Sequence, residues 1–154
     1  MNITFVISTL AKGGSERVTS ILANRFSKGQ YNVTILTLFS SKISYDISPE
    51  VNIISLDQKL FSKKKSFFLK LYYYLKRIFD LGKYFKKRNE NIIVIGSDIL
   101  NATIAVSKLI FNFKSRLILT VRSNPQIARN FISREIIYFF YKFANVIVVQ
   151  SLLN

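Results

Sequence analysis

The sequence predicts an α/β protein with a parallel sheet of about six strands and helices on both faces. Short segments rich in Val, Ile, Thr and Phe alternate along the chain with longer stretches of helical periodicity. Such alternation requires right-handed crossovers between parallel strands. Of the 154 residues, 49% are hydrophobic, which is enough to fill the core of one domain spanning 1–154.

The predicted strands share a β-branched and aliphatic composition and are bounded by polar or turn residues. They are Asn2–Ser8, Tyr31–Leu38, Val51–Leu56, Ile92–Ile95, Arg116–Val121 and Asn145–Val149.

The predicted helices lie between these strands. The first follows Gly13-Gly14, with Gly14 or Ser15 as its N-cap and Gly29 as a left-handed C-cap. Two more are predicted at Ile99–Phe111 and Phe131–Phe143. The helix before the fourth strand carries a periodic apolar stripe, although Gly82 leaves its continuity open; the stripe is Phe67, Leu71, Tyr74, Leu75, Ile78, Leu81 and Phe85.

The turn Gly13-Gly14 joins a buried strand to a helix, as in Rossmann-like folds. Backbone N–H groups at a helix amino end favour a bound anion. The turn lacks the G-x-G-x-x-G pattern of dinucleotide sites and the Gly-Lys-Ser/Thr ending of a Walker loop. From spacing alone, a phosphate site and a tight turn without a ligand remain equally open.

The chain contains no cysteine and no histidine, which excludes several kinds of chemistry. Neither a Ser-His-Asp triad nor a His- or Cys-ligated metal site can be built from it. The apolar runs are too short for a transmembrane helix, and the first ten residues lack the features of a signal peptide. We therefore expect a cytoplasmic protein.

The net charge of +15 is concentrated in one segment. Eleven basic residues and a single acidic one, Asp80, lie between Lys59 and Arg88. Such a surplus implies an anionic partner, and lysines beside an apolar helical stripe favour a membrane surface. The basic residues expected to face it are Lys63, Lys64, Lys65, Lys70, Lys76, Arg77 and Lys83. An ordinary crossover helix with a solvated lysine face is the alternative, and nucleic-acid binding is a rival because the same charge would suit it.

Three segments together resemble one family. The stretch from Thr9 to Val18, TLAKGGSERV, is followed by Leu22-Ala23-Asn24. Ile118–Pro125 reads ILTVRSNP, and Asn145–Ser151 reads NVIVVQS. In this order they resemble the amino-terminal domain of family 4 glycosyltransferases, which are two-domain enzymes of the GT-B fold. The resemblance covers the whole chain.

The resemblance implies roles for particular residues. Gly13, Gly14, Ser15 and Arg17 would contact the diphosphate of the donor and the acceptor. Residues at the ends of later strands would bind the acceptor, namely Asp98, Arg122, Ser123 and Asn124. Asp98 has an alternative role as the cap of the following helix. Many relatives place a histidine in the loop at Arg122, and this chain has no equivalent proton acceptor there, so the catalytic residues are unknown.

The resemblance also implies a function. A retaining transferase of this family would pass a sugar from a nucleotide-sugar to a membrane-linked glycan in bacterial surface polysaccharide synthesis, at the inner face of the plasma membrane. It would need no cofactor and no metal. The family's Glu-x7-Glu motif belongs to a carboxy-terminal domain, and nothing after Gln150 supplies it. We therefore expect an incomplete enzyme whose second half is absent or separately encoded. An inactive remnant, or a basic module that binds membranes or nucleic acid, is the alternative.

Overall fold

The computed structural model describes residues 1–56, 66–121, 135 and 138–149, with only the backbone of Phe67 and Lys70. The six predicted strands and three of the predicted helices are present. The elements are β1 (Asn2–Ile7), α1 (Gly14–Ser27), β2 (Asn32–Thr37), β3 (Asn52–Ser55), α2 (Phe67–Lys86), β4 (Asn91–Val94), α3 (Asp98–Phe111), β5 (Arg116–Val121) and β6 (Val146–Val149). Residues 138–141 are helical and precede β6.

The six strands form one sheet in the order β3-β2-β1-β4-β5-β6, and every pair of neighbours is parallel. Phe5 of β1 lies opposite Ile35 of β2 and Ile93 of β4. The chain moves outward from β1 to β3 and then crosses to β4 on the other side of β1. The predicted Rossmann-like parallel sheet is thus confirmed, with its order reversing between β1 and β4.

Each face of the sheet carries its own apolar core, because successive side chains of a strand point to opposite faces. On one face, Phe5, Ile35 and Ile95 pack with Ala23 of α1. On the other, Val6 and Val94 pack with Leu81 of α2 and Ile104 of α3. Tyr141 joins this second core, so the helical segment at 138–141 lies on the same side as α2 and α3.

The face that carries α1 is only partly covered by the described part of the chain. An apolar groove of about 410 Å³ lies beside α1 and extends over β4, β5 and β6. Its lining residues are Val18, Leu22, Phe26, Ile93, Ile95, Ile118, Thr120, Val121 and Val148.

The helix α2 is continuous through Gly82, which resolves the question left open by the sequence. A methyl group at Gly82 would collide with the ring of Phe111 at the end of α3. The two helices are also joined by a hydrogen bond of 2.9 Å from Ser107 Oγ to the carbonyl of Ile78. The glycine therefore permits close packing of α2 on α3 rather than a bend.

The ends of α1 differ from the prediction. Its N-cap is Gly13, in place of Gly14 or Ser15, and no side chain caps the helix. Lys28 at the carboxyl end has ordinary right-handed geometry. No glycine that the structure describes lies in the left-handed region, so Gly29 is not a left-handed cap. The N–H of Gly29 instead donates to the carbonyl of Phe26 at 3.1 Å, closing the helix with a tighter turn.

Replacing Gly82 with alanine tests this packing. An alanine normally gains about 1 kcal/mol over glycine inside a helix. We expect Gly82→Ala to lower the free energy of unfolding by about 1–3 kcal/mol instead, because Phe111 must move. Urea unfolding of Gly82→Ala, Phe111→Leu and the double variant measures the coupling. Additive effects of the two substitutions would show that the Phe111 contact does not explain the glycine.

Candidate functional site

Two loops meet at the carboxyl edge of the sheet, where the strand order reverses. One follows β1 and ends at Gly13, and the other follows β4 and contains Gly96 and Ser97. Because β1 and β4 are adjacent and parallel, their carboxyl ends lie side by side. The N–H of Ile95 continues this pairing by donating to the carbonyl of Val6 at 2.9 Å. Open α/β sheets bind their ligands in the crevice at this point.

The glycine turn presents the amino end of α1 at this crevice. Gly13 has extended backbone geometry, with φ of 176°, and its carbonyl accepts the first helical hydrogen bond from Arg17 at 3.1 Å. The N–H groups of Gly14, Ser15 and Glu16 precede the first helical bond and have no acceptor within the helix. A methyl group built at Gly14 meets no atom within 4 Å. The helix thus presents three donors beside open space.

Gly13 makes room for the side chain of Glu16. A methyl group at Gly13 would collide with the Glu16 carboxylate, which lies back over the turn. Glu16 Oε1 accepts a hydrogen bond of 3.4 Å from the hydroxyl of Thr9. A carboxylate in the first turn is favoured by the helix dipole. Glu16 therefore supplies negative charge at the place where an anionic ligand would also be attracted.

The loop after β2 holds the glycine turn in place. The Tyr45 hydroxyl donates to the carbonyl of Gly13 at 2.7 Å and accepts from the N–H of Gly13 at 3.0 Å. Ser41 Oγ accepts from the N–H of Leu10 at 3.1 Å. The N–H of Ser44 donates to the carbonyl of Leu10 at the same distance. The Gly13 N–H is thus already bonded, which leaves the following residues as the donors facing the crevice.

Asn24 fixes the other end of that loop to α1. Its Nδ2 donates to the carbonyl of Asp46 at 2.9 Å, and its Oδ1 accepts from the N–H of Ser48 at 2.8 Å. One helical side chain therefore satisfies two backbone groups of an irregular segment. The loop is anchored at Tyr45 and again at Asp46 and Ser48.

The loop after β4 is closed by a side-chain cap on α3. Ser97 is the N-cap, and its Oγ accepts from the N–H of Leu100 at 3.4 Å. Asp98 lies in the first turn of the helix and is half-buried. The alternative role given to Asp98 from the sequence, that of the helix cap, is therefore wrong because Ser97 occupies that position.

Asp98 instead belongs to a buried hydrogen-bonded network. The Tyr141 hydroxyl donates to Asp98 Oδ1 at 2.9 Å. Asn101 Nδ2 donates to Tyr141 Oη at 3.1 Å and to the carbonyl of Thr120 at 3.0 Å. Burial is the main reason that the pKa of the Tyr141 phenol is raised; the Asn101 hydrogen bond lowers it, and Asp98 raises it further. The network ties α3, β5 and the segment before β6 together beside the crevice.

The predicted site residues are only partly brought together. Gly13, Gly14, Ser15 and Arg17 share the turn and the start of α1, and Arg17 is exposed. Asp98 lies on the neighbouring loop. The remaining predicted acceptor residues lie outside the described part of the chain; they are Arg122, Ser123 and Asn124.

Arg77 differs from its predicted place on a membrane surface. Only 9% of the residue is exposed. Its guanidinium lies over the rings of Phe39 and Tyr74, at 4.9 and 5.5 Å from their centroids. Burial lowers the pKa of this guanidinium. The side chain is held between Phe39, which follows β2, and Tyr74 of the same helix, and it is not part of the basic surface.

The other predicted surface cations divide between exposed and undescribed positions. Lys76 and Lys83 are exposed on α2. The side chain of Lys70 and the whole of Lys63, Lys64 and Lys65 lie outside the described residues.

Sequence reasoning missed the polar side chains that organise the site. Tyr45 stands in a polar loop without periodicity, and Tyr141 reads as one of several aromatic residues in a helical stretch. Asn24 interrupts an apolar helical pattern, and a polar residue at such a position indicates a hydrogen-bonded partner elsewhere in the fold. Its partners could not be identified because they belong to a distant loop.

The described residues also bear on metal binding and on membrane insertion. They contain no group of three or more acidic, histidine or cysteine side chains placed to hold a metal ion. None of their helices is long and apolar enough to cross a bilayer.

The chain is similar in sequence to known glycosyltransferases. No protein-family model matches it. It is 30% identical over 124 residues, 80% of the chain, to the Campylobacter jejuni GalNAc-alpha-(1->4)-GalNAc-alpha-(1->3)-diNAcBac-PP-undecaprenol alpha-1,4-N-acetyl-D-galactosaminyltransferase. It is also 28% identical over 64 residues, 42% of the chain, to an uncharacterized glycosyltransferase of Haemophilus influenzae. The aligned parts make up 33% and 18% of these relatives, so the chain spans about a third of the longer match.

A solved structure has the same fold. The lipopolysaccharide outer core galactosyltransferase WaaB, in its apo form, superposes with a TM-score of 0.63 at 14% identity. The match covers 96% of this chain and 38% of WaaB. The chain is thus related in sequence to glycosyltransferases and shares the Rossmann-like fold of a GT-B enzyme.

Removing the Tyr45 hydroxyl tests the anchoring of the glycine turn. We expect Tyr45→Phe to lower the free energy of unfolding by about 1–2 kcal/mol, because the Gly13 N–H loses its acceptor. Urea unfolding measures the change, with Tyr31→Phe as the matched control at a phenol that is 37% exposed. An unchanged unfolding free energy in Tyr45→Phe would contradict the anchoring role.

The raised pKa of Tyr141 predicts a pH dependence of stability. Tyrosine ionises near pH 10 in an unfolded chain, so the stabilisation by the folded phenol is complete below about pH 10 and is lost as the pH rises further. We expect Tyr141→Phe to be less stable than the native protein at about pH 8. The difference should narrow toward about pH 11, because only the native protein then loses this contribution. A difference that stays constant across this range would contradict the prediction, with Tyr31→Phe again as the control.

Proposed function

We propose that residues 1–154 form the acceptor-side domain of a retaining glycosyltransferase. The enzyme would transfer a sugar from a nucleotide-sugar to a membrane-linked glycan in the synthesis of a bacterial surface polysaccharide. One observation carries the proposal: the uncapped amino end of α1 opens onto empty space at the point where the strand order reverses. The sequence relationship to glycosyltransferases supplies the kind of anion to expect there.

The geometry of the turn supports binding of the donor diphosphate. The N–H groups of Gly14, Ser15 and Glu16 point from the positive end of the helix dipole. Without a side chain at Gly14, a phosphate group can approach the backbone closely. Charge builds up on the diphosphate as the sugar leaves, so donors fixed at this position stabilise the transition state.

The Glu16 carboxylate lies over the glycine turn, so it must move when the diphosphate binds there. Its hydrogen bond to Thr9, at 3.4 Å, is long and correspondingly weak. The diphosphate competes with the carboxylate for the positive end of the helix dipole, and this weak hydrogen bond adds little to the cost of displacing Glu16.

The loop after β4 supports binding of the acceptor. The hydrogen bond from Tyr141 fixes the Asp98 carboxylate, and a fixed carboxylate orients an acceptor hydroxyl with little loss of side-chain entropy. We assign Arg122, Ser123 and Asn124 to the same subsite from their position after β5, which neighbours β4. An arginine there would suit a phosphate of a lipid-linked acceptor.

Lipid-linked glycan is the acceptor class proposed because the C. jejuni relative is named for an undecaprenol-linked substrate. Such an acceptor would place the enzyme peripherally at the cytoplasmic face of the plasma membrane. The donor-binding wall of the cleft would come from a nucleotide-sugar domain, joined to this one or supplied as a separate chain.

Substitution of Gly14 tests the proposal. The assay follows sugar transfer from a panel of nucleotide-sugars to membrane extracts, with a nucleotide-sugar domain supplied in cis or in trans. We expect Gly14→Val to reduce transfer by about 100-fold or more, because the side chain blocks the phosphate position. The melting temperature should remain close to that of the native protein, because a Cβ at Gly14 meets no neighbour.

The matched control is Gly29→Ala, at the opposite end of α1 and away from the crevice. It should retain transfer. Full transfer by Gly14→Val would remove the glycine turn from the mechanism.

Nuclear magnetic resonance of the product tests whether the transferase is retaining, since the new bond should then keep the anomeric configuration of the donor. The rate of transfer should be unchanged by a metal chelator.

A further inference from the structure

The helix α2 is longer than the strands on which it packs. It has 20 residues and is about 30 Å long. The strands have four to six residues and span about 13–20 Å. Since α2 connects the carboxyl end of β3 to the amino end of β4, its first half lies at the carboxyl edge. Among the α2 residues whose side chains the structure describes, the buried ones all lie in the second half, beginning at Arg77.

The first half of α2 exposes large apolar side chains instead of burying them. Leu71, Tyr72 and Leu75 are exposed by 45%, 59% and 47%. Phe79, one turn further along, is 48% exposed. At 100° per residue these four side chains occupy one side of the helix, which we call the exposed ridge. Leu71 and Leu75 of the predicted apolar stripe are thus exposed, whereas Leu81 and Phe85 of the same stripe are buried.

Cations follow one side of the exposed ridge. Lys76, Lys83 and Lys87 are exposed and lie beside Tyr72 on the helical projection. Lys76 also pairs with Asp80 at 2.7 Å, four residues on. An apolar ridge with a cationic flank is the arrangement by which helices lie in the interface of an anionic membrane.

We propose that the exposed ridge and its flanking lysines dock the protein on an anionic lipid surface. Leu71, Tyr72 and Leu75 enter the headgroup region, and the lysines contact lipid phosphates. This deepens the proposed function by naming the surface that meets the membrane. The ridge lies at the same edge of the sheet as the glycine turn, so docking brings a lipid-linked substrate to the crevice.

The arrangement favours a lipid surface over nucleic acid. Single strands stack their bases on aromatic side chains along a groove, whereas the exposed ridge projects from the surface of a helix, and two of its four side chains, Leu71 and Leu75, are aliphatic. Aliphatic side chains gain from leaving water for an acyl environment and contribute little to contact with phosphates and bases. Nucleic-acid binding is retained as an outcome of the test.

Vesicle binding of the full chain is the first measurement, with phosphatidylcholine vesicles that contain or lack phosphatidylglycerol. We expect Leu71→Ser with Leu75→Ser to weaken binding to the anionic vesicles by about tenfold or more. The matched control is Leu109→Ser with Ile110→Ser on α3, where the native side chains are 51% and 56% exposed. The control should bind as the native protein does, and thermal unfolding checks that both pairs fold.

The contribution of the lysine charges is tested separately. Lys76→Gln with Lys83→Gln should weaken binding by about fivefold for each lysine and make it less sensitive to salt. Lys28→Gln with Lys114→Gln removes two exposed cations outside α2 and should leave binding close to native.

A fluorescent reporter makes the test independent of affinity. The chain has no tryptophan, so Leu75→Trp introduces a single probe on the exposed ridge and Ile110→Trp a probe on α3. We expect the emission of Leu75→Trp to shift to shorter wavelength on anionic vesicles, while Ile110→Trp stays unchanged.

Several outcomes would overturn the docking proposal. These are equal binding to neutral and anionic vesicles, equal loss in the α2 and α3 variants, or an unshifted Leu75→Trp spectrum. Nucleic acid would be the partner of the cations if an oligonucleotide displaced the native protein from vesicles. The Leu71→Ser, Leu75→Ser variant would then bind the same oligonucleotide as tightly as the native protein does. The vesicles hold no sugar donor or acceptor, so failure of sugar transfer would leave the docking result intact, and the reverse also holds.

Discussion

The burial of β1 on both faces is the constraint on which the rest of the structure depends. Ile3, Phe5, Val6 and Ile7 are each at most 4% exposed. Alternate side chains of this one strand enter the two separate cores, and its backbone pairs with β2 on one side and β4 on the other. A strand in this position needs helices on both faces. It also creates the crevice, because the loop after β1 and the loop after β4 lead to helices on opposite faces of the sheet.

The glycine turn illustrates how a motif can be conformationally ordinary and still informative. Neither glycine lies in the left-handed region, so the backbone conformation does not require glycine at these positions. Gly13 leaves room for Glu16, while Gly14 faces open space. The turn keeps its shape through contacts from elsewhere, above all the two hydrogen bonds with Tyr45. Its rigidity therefore originates in the loop after β2, which carries no recognisable motif.

Local sequence patterns predicted where the strands lie, but they did not predict which side chains of α2 are buried. Short β-branched runs such as Ile92–Ile95 predict buried strands because only a two-sided core accommodates them. The stripe on α2 could not be divided by periodicity into the buried Leu81 and Phe85 and the exposed Leu71 and Leu75. That division depends on which part of α2 packs against the sheet and α3. The burial of Arg77 likewise depends on Phe39, a distant residue, and the partners of Asn24 and Tyr45 are equally remote in sequence.

The unequal distribution of charge gives the protein two opposite responses to ionic strength. Like charges crowded on and beside α2 repel one another in the folded chain, and added salt relieves this repulsion. The same salt screens attraction to any polyanionic surface. Conditions that best preserve the protein in storage are thus those in which it associates least. Purification at high salt would therefore favour the folded chain and, for the same reason, would remove anionic material bound to the basic helix.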